Sequence, residues 1–117
     1  MILDELRKEQ ILPVVVADHE GLITYVNKPF EEIFGYQSEE VIGKPLTIII
    51  PETLRDAHHL GFSRFLTTET PTLIGKPLSL KAVTKRGKEF DAEHIIMAEK
   101  VGGRWVFGAS IRPIKGI

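Results

Sequence analysis

Two short runs rich in β-branched residues predict a hairpin near the start of the chain. The runs span residues 13–18 and 22–27, and β-branched residues favour strands. Gly21 lies between them, and glycine can adopt the positive φ that a tight hairpin needs. Asn27 ends the second run and is a good N-cap for a following helix, as Ser38 is for the next helical turn. The pattern therefore predicts strand, turn, strand and then short helices.

The clearest helical pattern covers residues 51–66, with a shorter one at 1–10. In the longer segment, apolar and small residues recur at spacings of three and four, as on one face of an amphipathic helix. His58 lies inside this stripe, whereas His59 is rotated away from it. The members of the stripe are Leu54, Ala57, His58, Gly61, Phe62, Phe65 and Leu66. We expect the 1–10 helix to precede one folded domain at 11–117.

The last third of the chain predicts three strands joined by tight turns. Residues 72–84, 89–99 and 104–114 carry alternating apolar positions, and glycines lie between these runs. Alternation places Phe90, Ala92, His94 and Ile96 on one face. Pro77 indicates an edge strand or a bulge, because proline cannot donate a ladder hydrogen bond. Together with the first hairpin, these runs predict an α+β fold: a five-stranded antiparallel sheet with short helices packed on one face.

Composition narrows the function classes. A chain of 117 residues fits one domain, and its formal net charge of −1 argues against a nucleic-acid partner. The absence of cysteine excludes disulfides and thiolate metal sites. We find neither an apolar run of about 18 residues nor a signal-peptide pattern. No catalytic constellation stands out. We therefore expect a cytoplasmic domain that is not an enzyme and has no membrane partner.

Several motifs in order resemble those of PAS domains from about residue 11 to residue 114. They include D-x-E-G-x-I-x-Y-V-N and P-F-x-x-x-F-G-Y, the latter at residues 29–36. The matching segments are 18–27, 29–36, 38–45, 50–55, 58–68, 74–77 and 85–90. The resemblance implies a five-stranded sheet that cups a small cavity under the longer helix.

The same resemblance implies a sensory module of a larger signalling protein. Such proteins include the histidine kinases of two-component systems and cyclic-dinucleotide enzymes, with the effector domain following the sensor. Members of the family bind haem, flavin or small metabolites, and others bind nothing and only dimerise. We therefore expect a homodimer with a C-terminal effector.

Two histidines are the candidate ligand-binding residues. His58 lies in the apolar stripe of the longer helix and His94 in the inward face of a strand, so both are expected to face one pocket. The other expected lining residues are Phe62, Phe65, Leu66, Ile74, Leu78, Ile96 and Phe107. Neutral imidazole is a good iron ligand, and an apolar pocket suits a porphyrin.

The segment R-x-x-H at residues 55–58 is similar to haem-binding PAS oxygen sensors, which implies His58 as the haem-iron ligand. Gly61 and Leu78 stand where those sensors carry a tyrosine and an arginine. Flavin is the other cofactor considered, although LOV-type photochemistry needs a cysteine. The competing hypotheses are that both histidines are hydrogen-bonded core residues, and that the chain is a ligand-free dimerisation or protein-interaction module using the 1–10 helix and the outer sheet face.

Overall fold

Five antiparallel strands form one sheet in the order β2-β1-β5-β4-β3. The computed structural model of the chain describes residues 2–68 and 75–114. Its strands are β1 (Val14–Ala17), β2 (Ile23–Val26), β3 (Pro77–Val83), β4 (Glu89–Val101) and β5 (Arg104–Pro113). The predicted α+β fold is confirmed, as is the meander of the last three strands. Pro77 lies on β3, an edge strand, which is the first of the two predicted alternatives.

Within the described residues, four α-helices and two 3₁₀ turns accompany the sheet. The helices are α1 (Ile2–Arg7), α2 (Lys28–Phe34), α3 (Ser38–Val41) and α4 (Arg55–Thr68), and the 3₁₀ turns are Leu46–Ile49 and Glu52–Leu54. The predicted 51–66 helix thus begins as a 3₁₀ turn and becomes α-helical at Arg55. In the described ranges, every helix is too short or too polar to span a membrane.

Side-chain hydrogen bonds define where α2 and α3 begin. The Asn27 side chain accepts from Phe30 N at 3.1 Å, as expected of an N-cap. The prediction that Ser38 caps α3 is wrong by one residue, because Gln37 is the N-cap. The Glu31 carboxylate accepts from both Ser38 N and Ser38 Oγ, at 2.6 and 3.0 Å. These bonds hold Ser38 as the first residue of α3.

The two faces of the sheet carry separate apolar clusters. Residues that alternate along β1 belong to different clusters, since successive strand side chains point to opposite faces. On the concave face, α2 and α3 pack on the sheet through a core that includes Val15, Phe30, Phe34, Val41 and Ile111. On the outer face, α1 covers Val14 and Val16 with Leu3 and Leu6. The prediction that the helices pack on one face of the sheet is therefore wrong for α1, which packs on the outer face.

Gly108 on β5 makes the close contact of α1 possible. A Cβ atom at this position would lie 2.5 Å from Leu6 Cδ1 and 2.9 Å from Leu3 Cδ2, well inside van der Waals contact. The absence of a side chain lets the helix lie directly on the strand.

Candidate functional site

Helix α4 contacts the sheet through an aromatic cluster. The Phe62 ring centroid lies 5.1 Å from that of Phe107 on β5. Phe65 contacts Phe107 at 5.4 Å and Trp105 at 5.0 Å, both edge-to-face. None of the described side chains from Arg55 to Thr67 is fully buried, so α4 is held by few contacts. Aromatic pairs of this geometry each contribute about 0.5–1.5 kcal/mol beyond their burial.

His94 lies on the same sheet face as the aromatic cluster. It is opposite Leu78 on β3 and Ile111 on β5. Ala98 lies four residues further along β4 and is opposite Phe107. Directly paired residues and residues two or four apart share a sheet face. His94 and α4 therefore lie on the concave side, as the sequence predicted.

The His94 imidazole contains a buried polar atom without a partner. Its Nε2 atom is shielded from solvent and makes no hydrogen bond. Burial lowers the pKa of His94, and a weaker opposing effect comes from a hydrogen bond to the Leu80 backbone. Histidine is therefore neutral here at physiological pH. An unpaired buried nitrogen costs about 1–3 kcal/mol, so the arrangement calls for an explanation.

His58 occupies the sheet-facing side of α4. Its ring centroid lies 6.1 Å from that of Phe62 and 5.6 Å from that of His59. Partial burial lowers the pKa of His58, and the neighbouring His59 lowers it further. Arg55, which completes the R-x-x-H segment, donates from Nε to the Ile50 carbonyl at 3.0 Å. This bond fixes the start of the helix that presents His58.

The remaining residues predicted from the sequence fall into three groups. Phe107 is buried, whereas Phe62, Phe65, Leu78 and Ile96 are half-buried around the concave face. Leu66 is 38% exposed and lies at the margin of α4. Ile74 lies outside the described residues. The membership of these residues in one binding pocket stays a prediction.

Two residues that the sequence prediction omitted also belong to this side of the sheet. Trp105 contacts Phe65 and lies two residues before Phe107, so strand alternation could have placed it there. Leu80 alternates with Leu78 on β3, yet 41% of its surface is exposed. A leucine on the concave face is normally covered in a filled core. Leu80 belongs to the edge strand β3, and Ala92, opposite it on β4, is fully buried, so its exposure is that of a residue at the edge of the sheet.

The described side chains fit haem better than a bare metal ion. In residues 2–68 and 75–114, no three His, Asp or Glu side chains come together as a metal centre requires. Haem needs only one or two axial ligands from the protein, and imidazole is a common one. His58 on α4 and His94 on β4 are imidazoles of this kind, and Phe62, Phe65 and Phe107 form an apolar surface beside α4.

The stability of the domain is expected to fall as the pH is lowered below about 6.5. Both His58 and His94 have pKa values lowered from the ordinary value of 6.5, chiefly by burial. The unfolded chain then binds protons that the folded chain does not. The contribution of the two neutral histidines to the free energy of unfolding is fully present above pH 6.5. It is lost as the pH falls from 6.5 towards the lowered pKa values that the histidines have in the folded state.

Urea unfolding at several pH values between about 7.5 and 5 would measure this loss. Replacing His94 with leucine should reduce the slope of unfolding free energy against pH. A His94→Leu variant whose slope equals that of the wild type would contradict the assignment.

Sequence comparison finds a matching family and two relatives. A model of the PAS fold matches residues 8–93. An uncharacterized protein of Azorhizobium caulinodans is 38% identical over 102 residues, covering 86% of this chain and 14% of that protein. Sensor protein FixL of Bradyrhizobium diazoefficiens is 29% identical over 101 residues, covering 86% of this chain and 20% of FixL. The chain thus spans a fifth or less of these relatives.

Structural comparison gives the same result for the fold. The PAS domain of a protein from Colwellia psychrerythraea superposes with a TM-score of 0.75 at 20% identity, covering 97% of this chain and 98% of that one. PAS domains are regulatory modules that commonly dimerise and commonly sit in larger sensor proteins beside effector domains. By its motifs, its sheet topology and these matches, the chain belongs to the PAS family.

Proposed function

We propose that this chain is a ligand-sensing module that holds a small, mainly apolar ligand between α4 and the concave face of the sheet. It relays the state of that site to an effector elsewhere in its parent protein. The observation that carries this proposal is the buried, unpartnered Nε2 atom of His94. Buried polar groups are nearly always hydrogen-bonded, and exceptions concentrate at functional sites.

The chemistry of His94 indicates what the ligand must offer. The Leu80 backbone bond raises the pKa of His94, as expected when an imidazole N–H donates to a carbonyl. A neutral imidazole that donates through one nitrogen presents a lone pair at the other. Nε2 would then accept a hydrogen bond from a ligand O–H or N–H group, or bind a metal. An anion without a donor would be excluded.

Haem is one candidate ligand, and His58 is the residue that would hold its iron, as the family resemblance implies. Bound haem would supply an iron centre able to bind a diatomic gas. In that case the chain's own part is to present neutral imidazoles and to exclude water with Phe62, Phe65 and Phe107. Leu78, opposite His94, is apolar and would offer no hydrogen-bond donor on this side of the site.

The incomplete burial of the α4 side chains supports the proposed relay of the ligand state. Its aromatic contacts with the sheet are those of Phe62 and Phe65, with Phe107 and Trp105. Few buried contacts mean that a modest free-energy change can shift the helix between two positions. A ligand that contacts both α4 and His94 would favour one position, and β5 continues from these contacts towards the C-terminus.

Two titrations test the proposal directly. Haemin is titrated and followed by visible absorption, where ligation gives a band at about 400–430 nm. Indole, an apolar ring with one N–H donor, is titrated and followed through the ¹⁵N signals of the imidazoles. We expect at least one probe to bind and to perturb His94. If both probes leave the His94 signals unchanged, the proposed site is wrong.

The variants for these titrations separate the two histidines. His58→Ala should abolish the haemin band if His58 ligates iron, whereas His94→Leu should abolish the indole response. His59→Ala is the matched control, because His59 adjoins His58 but is exposed. A band that survives in His58→Ala would remove His58 from the role of axial ligand.

His94→Leu is also expected to stabilise the domain in the absence of ligand. The change removes an unpaired buried nitrogen and introduces an apolar side chain of similar size. It also removes the bond to the Leu80 backbone, so the net rise in the free energy of unfolding should be at most about 1 kcal/mol. Urea midpoints at pH 7.5 would measure it. A loss of stability would mean that His94 is a structural core residue.

Dimerisation through residues 1–10, the alternative function, has less support in the geometry. The apolar side chains of α1, Leu3 and Leu6, are only 4% and 6% exposed. They are buried against the chain's own sheet and Gly108. The apolar face of α1 is therefore already occupied.

A further inference from the structure

The outward face of α4 has a self-complementary pattern of charge. At its centre is Leu60, which is 62% exposed. Asp56 lies one turn before Leu60 and Arg64 one turn after it, and both are exposed. Residues four apart lie on one helix face. The acidic and basic residues are thus equally spaced on either side of an exposed leucine.

We propose that this face binds a second copy of the chain, with the two α4 helices antiparallel. Leu60 of one copy contacts Leu60 of the other. Asp56 of each copy pairs with Arg64 of the other. This dimer surface is distinct from α1 and from the ligand-facing side of α4, and it does not depend on a ligand.

The spacing fits a two-fold axis through Leu60. Four residues rise about 6 Å along a helix, so Asp56 and Arg64 lie at equal heights above and below the axis. An antiparallel pair therefore brings opposite charges together twice. A parallel pair would instead place Asp56 against Asp56 and Arg64 against Arg64, which is unfavourable. The opposed helix dipoles also favour the antiparallel arrangement.

The neighbouring side chains allow the helices to approach. Ala57 and Gly61 flank Leu60 on the exposed surface, and a Cβ at Gly61 would meet no atom within 4 Å. Small residues permit interaxial distances at the short end of the usual 8–10 Å. The Arg64 guanidinium, which already interacts within its own chain, has five N–H donors and can serve a further carboxylate.

The dimer should be weak and concentration-dependent. Helix α4 has 14 residues, a length of about 21 Å, and contact along one such helix buries less than the roughly 1,200 Å² of a stable interface. Dimerisation and the proposed ligand would act on opposite faces of the same helix.

Sedimentation equilibrium over a range of protein concentrations tests the surface. The wild type is expected to dimerise, and Leu60→Glu should raise the dimer Kd at least tenfold while leaving the circular dichroism spectrum unchanged. Ile11→Glu is the matched control, because Ile11 is 84% exposed and adjoins α1 rather than α4. A wild type that stays monomeric up to about 1 mM, or a dimer that Ile11→Glu disrupts and Leu60→Glu does not, overturns the proposal.

Charge exchange tests the antiparallel pairing. Asp56→Arg and Arg64→Asp should each raise the Kd at least tenfold, since each places like charges together. An equimolar mixture of these two variants should form a heterodimer, and the double variant D56R/R64D should return to within about threefold of the wild-type Kd. A double variant that dimerises no better than the single variants rules out the antiparallel pair.

Discussion

Replacing Phe34 with alanine is expected to lower the free energy of unfolding by about 3–5 kcal/mol. Phe34 is completely buried at the end of α2. Its ring stacks on Phe30 at 4.5 Å and packs against Phe90 on β4 at 5.5 Å. Truncation would leave a cavity between the helices and the sheet. Since a domain of this size has a total stability of about 5–15 kcal/mol, the loss is a large part of the whole.

Urea unfolding measured with a constant m value would give this change. Ile11→Ala is the control, because it removes a large apolar side chain that is 84% exposed. Its effect should stay within about 0.5 kcal/mol. A Phe34→Ala variant that loses less than about 1 kcal/mol would show that α2 is not anchored by this ring.

Asn27→Ala is expected to destabilise the domain by about 2–4 kcal/mol, from loss of a helix cap and of buried hydrogen bonds. Asn27 Oδ1 accepts from Val14 N at 2.9 Å and from Phe30 N at 3.1 Å. Its Nδ2 donates to the carbonyls of Leu12 and Glu9, at 2.8 and 3.1 Å. One amide thus joins the N-terminal segment, β1 and α2.

Two further variants separate these contributions. Asn27→Asp keeps the acceptor for Phe30 and Val14 but removes both donors, so its loss of stability should be smaller than that of Asn27→Ala. Lys28→Ala changes the adjacent residue, whose side chain is 78% exposed, and should be nearly neutral. Equal losses in Asn27→Asp and Asn27→Ala would mean that the cap contributes nothing.

Local pattern predicted most of the fold because the deciding interactions are local. The hairpin around Gly21 and the Asn27 cap depend on residues close in sequence, and both are present. The N-cap of α3 was misplaced because the carboxylate that engages Ser38 comes from Glu31, in another helix.

The depth of burial along α4 could not be predicted in the same way. Periodicity identifies which residues share a face, and Phe62 and Phe65 do lie towards the sheet. It does not indicate how closely the helix approaches, which depends on the curvature of the strands beneath it. Ala57 and Gly61, counted in the apolar stripe, are therefore exposed.

The candidate site was predictable in its residue types but not in its hydrogen bonding. Strand alternation placed His94 on the inward face. The Nε2 atom of His94 lacks a hydrogen-bond partner, because strand pairing places His94 between Leu78 and Ile111, which are distant in sequence. The side chains of Leu78 and Ile111 are apolar and offer Nε2 neither a donor nor an acceptor. This arrangement becomes visible only once the register of three strands is known.

Phe107 and Gly108 are consecutive residues of β5 that face opposite sides of the sheet. Phe107 contacts Phe62 and Phe65 of α4, whereas Gly108 lies beneath Leu3 and Leu6 of α1. One peptide bond separates the two contacts. A change in strand twist that re-orients Phe107 would therefore also re-orient the backbone against which α1 packs, which couples the first helix of the domain to the contacts of α4.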